Sequence, residues 1–67
     1  MAVAKVTEII AASPKSFEDA IKNGIARADR TLKNVSSVWV KGMSVALKNG
    51  KVHEYRVNLK VTFILKD

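Results

Sequence analysis

The residue best suited to bind a ligand is the single tryptophan of the chain, Trp39. It lies between Val38 and Val40, in a segment whose alternation of residue types is typical of a β-strand. If the two valines face the core, the indole is exposed. An exposed tryptophan is expected either to anchor a subunit interface, where this residue is enriched, or to stack against an aromatic ligand. The sequence leaves both roles open, and one subunit junction can serve both.

Residue patterns that indicate catalysis are missing. The three glycines lie far apart, so the sequence contains no glycine-rich phosphate loop. The single histidine, His53, has no nucleophile or acid at a recognisable spacing, and the chain has no cysteine. The six carboxylates form no recognisable acid–base pair. The sequence therefore predicts a protein that is not an enzyme and that has no metal site.

Positive charge is in excess, with twelve Lys and Arg residues against six Asp and Glu. Such a balance favours anionic partners. The basic residues are scattered, however, and the polar side predicted for the last strand presents Arg56 and Lys60 without an aromatic residue on which bases would stack. A small aromatic or anionic ligand is therefore favoured over nucleic acid.

Oligomerisation is expected from the size of the chain. A domain of 67 residues buries only about 60% of its unfolded surface. Disulfides and thiolate metal sites are excluded, yet 48% of the residues are hydrophobic, so self-association is the remaining means of stabilisation. The N-terminal segment lacks the features of a signal peptide and no segment is long enough to span a membrane, so a cytoplasmic location without a membrane partner is expected.

The sequence predicts one domain of four elements, an α+β fold of the βαββ type. These elements must position the residues described above. They are a strand over about 3–12, a helix over about 14–33, and strands over about 35–48 and 51–65. The helix begins either at Pro14 with Ser13 as its cap, or after Ser16 with Asp19 completing a capping box. Its apolar stripe contains Gly24, for which close approach of the sheet backbone is the expected reason.

The last two strands form a hairpin, because Asn49-Gly50 is the residue pair that a type I′ turn requires. With right-handed crossover from the first strand to the second, the third can lie between them in a three-stranded antiparallel sheet wrapped on the helix. The second strand is expected to present one face consisting of Ser37, Trp39, Lys41, Met43, Val45 and Leu47. A hairpin with strands this long extends past a single helix and predicts neighbouring subunits.

The whole chain resembles the dodecin family. The resemblance rests on the order and spacing of short segments rather than on one motif. These segments are Ile9-Ile10-Ala11-Ala12-Ser13, Ser16-Phe17 with Ala20-Ile21, Ile25-Ala26-Arg27-Ala28 with Thr31-Leu32, Glu54-Tyr55-Arg56-Val57 and Val61-Thr62-Phe63-Ile64-Leu65. The resemblance implies a hollow homododecamer that binds flavins, stacked in pairs at subunit junctions, for storage or sequestration.

At the positions that bind flavin, the chain departs from the family pattern. The tryptophan on which family members stack the flavin corresponds to Ser37, and Trp39 follows two residues later on the same side of the strand, about 6.6 Å away. The family glutamine that hydrogen-bonds the ring corresponds to Arg56, and arginines that some members direct at a flavin phosphate correspond to Ser44 and Ile64.

Three residues, Ser37, Trp39 and Arg56, are therefore the candidate ligand-binding residues. The resemblance makes riboflavin or FMN the first ligand to consider. The alternatives are a dodecin-fold shell that has lost flavin binding, with Trp39 as an interface anchor, and a basic module that binds nucleic acid.

Overall fold

The computed structural model describes residues 3–65, which form two layers. The elements are β1 (Val3–Ser13), α1 (Phe17–Thr31), β2 (Val35–Lys48) and β3 (Lys51–Leu65). The sheet order is β1-β3-β2, and β3 pairs antiparallel with both neighbours. This architecture confirms the predicted α+β class, with one helix against a three-stranded antiparallel sheet.

The helix is shorter than the predicted range 14–33 at both ends. Ser16 is the N-cap, and its side chain accepts the backbone N–H of Asp19 at 3.0 Å. Asp19 does not complete the capping box; its carboxylate accepts a hydrogen bond from the Ser13 hydroxyl at 2.6 Å, which holds the end of β1 against the first turn. Pro14 consequently lies in the connection. At the other end Leu32 caps the helix, and Asn34 takes a positive φ of 62° before β2 begins.

The core lies between α1 and the sheet, mainly against β1 and β3, and Val35, Val38 and Val40 of β2 pack against it. Its fully buried apolar residues are Ala20, Ala28, Val57, Leu59 and Val61. Gly24 faces this core, and a Cβ placed on it would lie 2.6 Å from Leu59 Cδ1 and 3.0 Å from Ala11 Cβ. The prediction that the sheet backbone requires this glycine was therefore wrong, because the close neighbours are side chains.

A β-bulge at Lys41 divides the face predicted for β2. Before the bulge Trp39 pairs with Lys60, whereas after it Met43 pairs with Val57, which is buried beneath the helix. Directly paired residues share a face of the sheet. Ser37 and Trp39 therefore lie on the side away from α1, called the outer face below, while Met43 and Val45 lie on the helix side. The single predicted face was wrong because a bulge inserts one residue and reverses the alternation.

The β2–β3 hairpin extends well beyond the helix. Asn49 and Gly50 have φ values of 54° and 76°, as the expected type I′ turn requires. The molecule is 50 Å long, whereas a helix of 15 residues spans about 22 Å. Apolar side chains that α1 leaves exposed include Met43, Val45, Leu47 and Val52. Within residues 3–65, α1 is too short and too polar to cross a membrane.

Candidate ligand-binding site on the outer face

Trp39 is at the centre of the site. Its position in the middle of β2, one residue from the inward-facing Val38 and Val40, places the indole on the outer face. The residue is 63% exposed in the single chain. An indole this exposed in the middle of a strand offers a flat surface for stacking.

Lys60 on β3 covers part of this surface. Cross-strand pairing places Glu8, Lys60 and Trp39 in one row across β1, β3 and β2. The Lys60 ammonium lies 5.3 Å from the centroid of the indole, within the range of a cation–π interaction. The stacking surface is therefore accompanied by a positive charge.

A second lysine reaches the same row from the bulge. Lys41 Nζ lies 3.4 Å from Glu8 Oε1, across the width of the sheet, and both side chains are 47% exposed. The Glu8 carboxylate thus pairs with Lys41 although its neighbour in the row is Lys60. Among residues 3–65, no carboxylate oxygen lies within 4.0 Å of Lys60 Nζ. Of these two lysines, Lys60 is therefore the one that has no carboxylate partner among the described residues.

Arg56 lies on the outer face but away from Trp39. It is opposite Ser44 on β2 and Ala12 on β1, four residues along β3 from Lys60, a separation of about 13 Å. Its Nη2 and Nε atoms lie 2.7 and 2.9 Å from Glu54 Oε1. This contact fixes the guanidinium and partly neutralises its charge.

Ser37 completes the predicted set. It is opposite Thr62, two residues before Trp39 on the same face. Its side chain is small and exposed. The structure therefore brings Ser37 and Trp39 together and places Arg56 on the same face, at a distance.

Sequence reasoning missed Glu8, Lys41 and Lys60 as site residues. The alternation of β3 already placed Lys60 on the polar side, but its partner on β2 depends on the register. That register depends on the bulges at Ser36 and Lys41, and no sequence motif predicts these bulges. Asn49-Gly50 was the only strong register signal, and it fixes the pairing only near the turn.

The outer face combines exposed apolar side chains with half-exposed charged ones. On the same outer face, but separated from Trp39 by β3, Val6 and Ile10 of β1 are 54% and 70% exposed. Stacking on an apolar surface with nearby cations suits a planar ligand with a negative group. Among the described residues, no group of three or more His, Asp or Glu side chains is placed to hold a metal ion.

A known protein family and several solved structures are similar to this chain over nearly its whole length. The family model for dodecins matches residues 3–66. The dodecin from Streptomyces davaonensis is 35% identical, with a TM-score of 0.93 over 98% of this chain and 97% of that one. A tryptophan-to-phenylalanine variant of the Thermus thermophilus dodecin is 33% identical, with a TM-score of 0.92 over the full length of both chains.

A more distant structure is the calcium dodecin of Mycobacterium tuberculosis, described as a calcium-chelating immunodominant antigen with a novel calcium-binding site. It is 30% identical, with a TM-score of 0.85 over 96% of this chain and 91% of that one. No curated protein sequence matches the chain.

Proposed function

Since the chain belongs to the dodecin family, a family of non-enzymatic proteins that bind small ligands, we propose that it binds a flavin, riboflavin or FMN, on the outer face of its sheet. We further propose that it does so as a hollow homododecamer and that the assembly stores or sequesters the ligand. The observation that supports the proposal is the exposed indole of Trp39 in the middle of this face.

Stacking on Trp39 would be a shifted version of the family arrangement. Trp39 lies on the same face as Ser37, about 6.6 Å further along β2. A ring stacked on Trp39 can extend over the small Ser37 side chain without a clash. The single tryptophan of this chain would therefore take the stacking role of the family tryptophan from a neighbouring position on the same surface.

The positive charge that the family pattern places near a flavin phosphate could here come from an arginine on the neighbouring strand. The family arginine position is Ser44 here, and Ser44 is directly paired with Arg56, which replaces the family glutamine. An arginine thus remains in the same cross-strand pair, although on the other strand. Arg56 supplies donors but no acceptor, so it suits an anionic group better than a neutral ring edge.

Assembly is supported by the apolar side chains that the single chain leaves uncovered. Exposed apolar residues occupy the helix side of the hairpin, at Met43, Val45, Leu47 and Val52, and one end of the β1–β3 pair, where Val3 is opposite Leu65. Extended apolar surface on a small protein favours burial against other subunits. Twelve is the number that the family implies.

The decisive test is a titration of riboflavin or FMN with the purified protein, monitored by flavin fluorescence. We expect quenching with the wild-type protein, a loss of affinity of more than about tenfold for Trp39→Ala, and substantial retention for Trp39→Phe, which keeps a stacking ring. Native mass spectrometry of the same samples gives the subunit number and any bound flavin. Wild-type protein that quenches neither flavin would contradict the proposal.

A dodecin-fold shell without flavin is the second candidate, favoured by the replacement of the family tryptophan with Ser37. In that case Trp39 would bury its indole against a neighbouring subunit, together with Val6 or Ile10. Trp39→Ala would then disrupt the assembly in size-exclusion chromatography, whereas a binding role predicts an intact assembly that no longer quenches flavin.

A further inference from the structure

We propose that Lys60 makes the Trp39 site selective for aromatic ligands that carry an anionic group within reach of its ammonium. This inference rests on the proposed binding role of Trp39 and extends it to the class of ligand. Lys60 is a specificity-determining residue in this view, because it acts through its charge beside the indole rather than through a packing contact.

The geometry places the Lys60 ammonium where a stacking ligand must meet it. Its nitrogen lies 5.3 Å from the indole centroid, and the β2–β3 register holds the two residues directly opposite each other. A ring that stacks on the indole face covered by Lys60 displaces the ammonium from that face to the edge of the ligand. The ligand has to compensate for the cation–π contact that is lost.

The neighbouring charges make Lys60 the cation available for this task. Lys41 is paired with Glu8 at 3.4 Å, and Arg56 is paired with Glu54 at 2.7 Å. No carboxylate of residues 3–65 lies within 4.0 Å of Lys60 Nζ. An anion beside the indole would therefore meet an ammonium that forms no ion pair with the described residues, and need not displace one.

Ligands that differ only in charge should consequently differ in affinity. A neutral ring displaces the ammonium and offers it no counter-charge. A ring with an anionic substituent displaces it into a new ion pair. The position of Lys60 thus disfavours the neutral ligand and favours the anionic one at the same surface.

The first experiment compares riboflavin with FMN, which differ by one phosphate, on the full-length wild-type protein and three variants. We expect Lys60→Gln to weaken FMN binding about three- to fivefold relative to riboflavin, and Lys60→Arg to retain the FMN preference. Lys15→Gln removes one positive charge from the exposed connection before α1 and is the matched control for net charge. It should leave the FMN preference unchanged.

A second experiment needs no flavin, because Trp39 is the only tryptophan. Its fluorescence is quenched with iodide, an anion, and with acrylamide, which is neutral. We expect Lys60→Gln to lower the iodide constant about twofold with the acrylamide constant unchanged, and Lys15→Gln to alter neither.

The two experiments separate failure of the inference from failure of the proposed function. If the wild-type protein binds neither flavin, the proposed function is wrong, and the iodide experiment alone decides the inference. If flavins bind but Lys60→Gln leaves both the FMN preference and the ratio of iodide to acrylamide quenching unchanged, the inference is overturned and the proposed function stands. An equal loss in Lys15→Gln also overturns it, since the effect would then come from net charge.

Discussion

The two faces of one sheet differ in how closely their residues constrain one another. On the helix side Val57, Leu59 and Val61 are fully buried, and the contact with α1 is so close that position 24 has no room for a Cβ. On the outer face the sheet exposes Trp39 and Ile10. The charged residues nearby contact one another only through the ends of their side chains. Because successive residues of a strand point to opposite faces, one face can change while the other is kept.

The departures from the family pattern follow this division. Ser37, Ser44, Arg56 and Ile64, the four positions at which the resemblance to the family implies replaced flavin-binding residues, all lie on the outer face. We therefore expect the fold and the ligand preference to be specified by different residues of the same strands. This separation is what mutations on the two faces can test.

Two adjacent residues of β3 provide the largest expected contrast. Leu59→Ala leaves a cavity in the core and should lower the free energy of unfolding by about 2–5 kcal/mol, whereas Lys60→Ala on the outer face should change it by about 0.5 kcal/mol or less. Guanidinium unfolding followed by circular dichroism, at one protein concentration for all variants, measures both. Equal destabilisation would show that the outer face is as tightly packed in the assembly as the helix side.

The same glycine-to-alanine substitution on each face of the sheet tests the difference in packing a second time. Gly24→Ala places a methyl group 2.6 Å from Leu59 Cδ1, and we expect a net loss of about 1 kcal/mol, because overpacking exceeds the gain in helix propensity. Gly42 on the outer face has nothing within 4 Å of an added Cβ, so Gly42→Ala should be close to neutral. Adding Leu59→Val to Gly24→Ala makes room, so the double variant should lose less stability than the sum of the single changes. Additive losses would contradict the proposed clash.

The helix side was predictable from sequence because its signals are local and repeated. The alternation of β3 identified Val57, Leu59 and Val61 as one face, and Asn49-Gly50 fixed the hairpin. The start of α1 was harder to place, because Ser13 and Ser16 are both good caps. Only the structure shows that Ser13 instead binds the Asp19 carboxylate.

The outer face was predictable only in part because its neighbours come from three strands. Trp39 was identified by its residue type, but alternation predicted its exposure only on the condition that Val38 and Val40 face the core. The row of Glu8, Lys60 and Trp39 depends on two registers, and one of them is shifted by bulges at Ser36 and Lys41. A bulge leaves no compositional signal that separates it from regular alternation.

Two substitutions in one cross-strand pair, at Arg56 and Ser44, test which strand supplies the positive charge near the ligand. Arg56→Gln restores the amide of the family pattern, and we expect riboflavin to bind about threefold more tightly relative to FMN, since an amide offers both a donor and an acceptor. Adding Ser44→Arg on the paired position of β2 should return the preference towards FMN. The ratio of the two dissociation constants, from fluorescence titration, is the measurement. If neither substitution alters this ratio, the ligand binds away from the Arg56–Ser44 pair.

The smallest expected effect concerns Glu8, which holds Lys41 at 3.4 Å beside the Trp39 site. Glu8→Gln removes a negative charge from the row and releases Lys41, so anions should approach the indole more readily. Because both partners are half-exposed, the gain should be about twofold in FMN affinity and in iodide quenching of Trp39 at low salt. It should disappear in about 0.5 M salt, where screening extends over only a few ångströms.

Glu18→Gln is the matched control for this change, because Glu18 forms a similar exposed ion pair with Lys22, at 3.5 Å, on the helix rather than on the outer face. Both variants add one unit to the net charge of +6. If the outer face alone binds the ligand, only Glu8→Gln should strengthen anion binding. An equal gain in both would show that the ligand responds to the charge of the whole protein, and the distinction between the two faces would then hold for packing but not for binding.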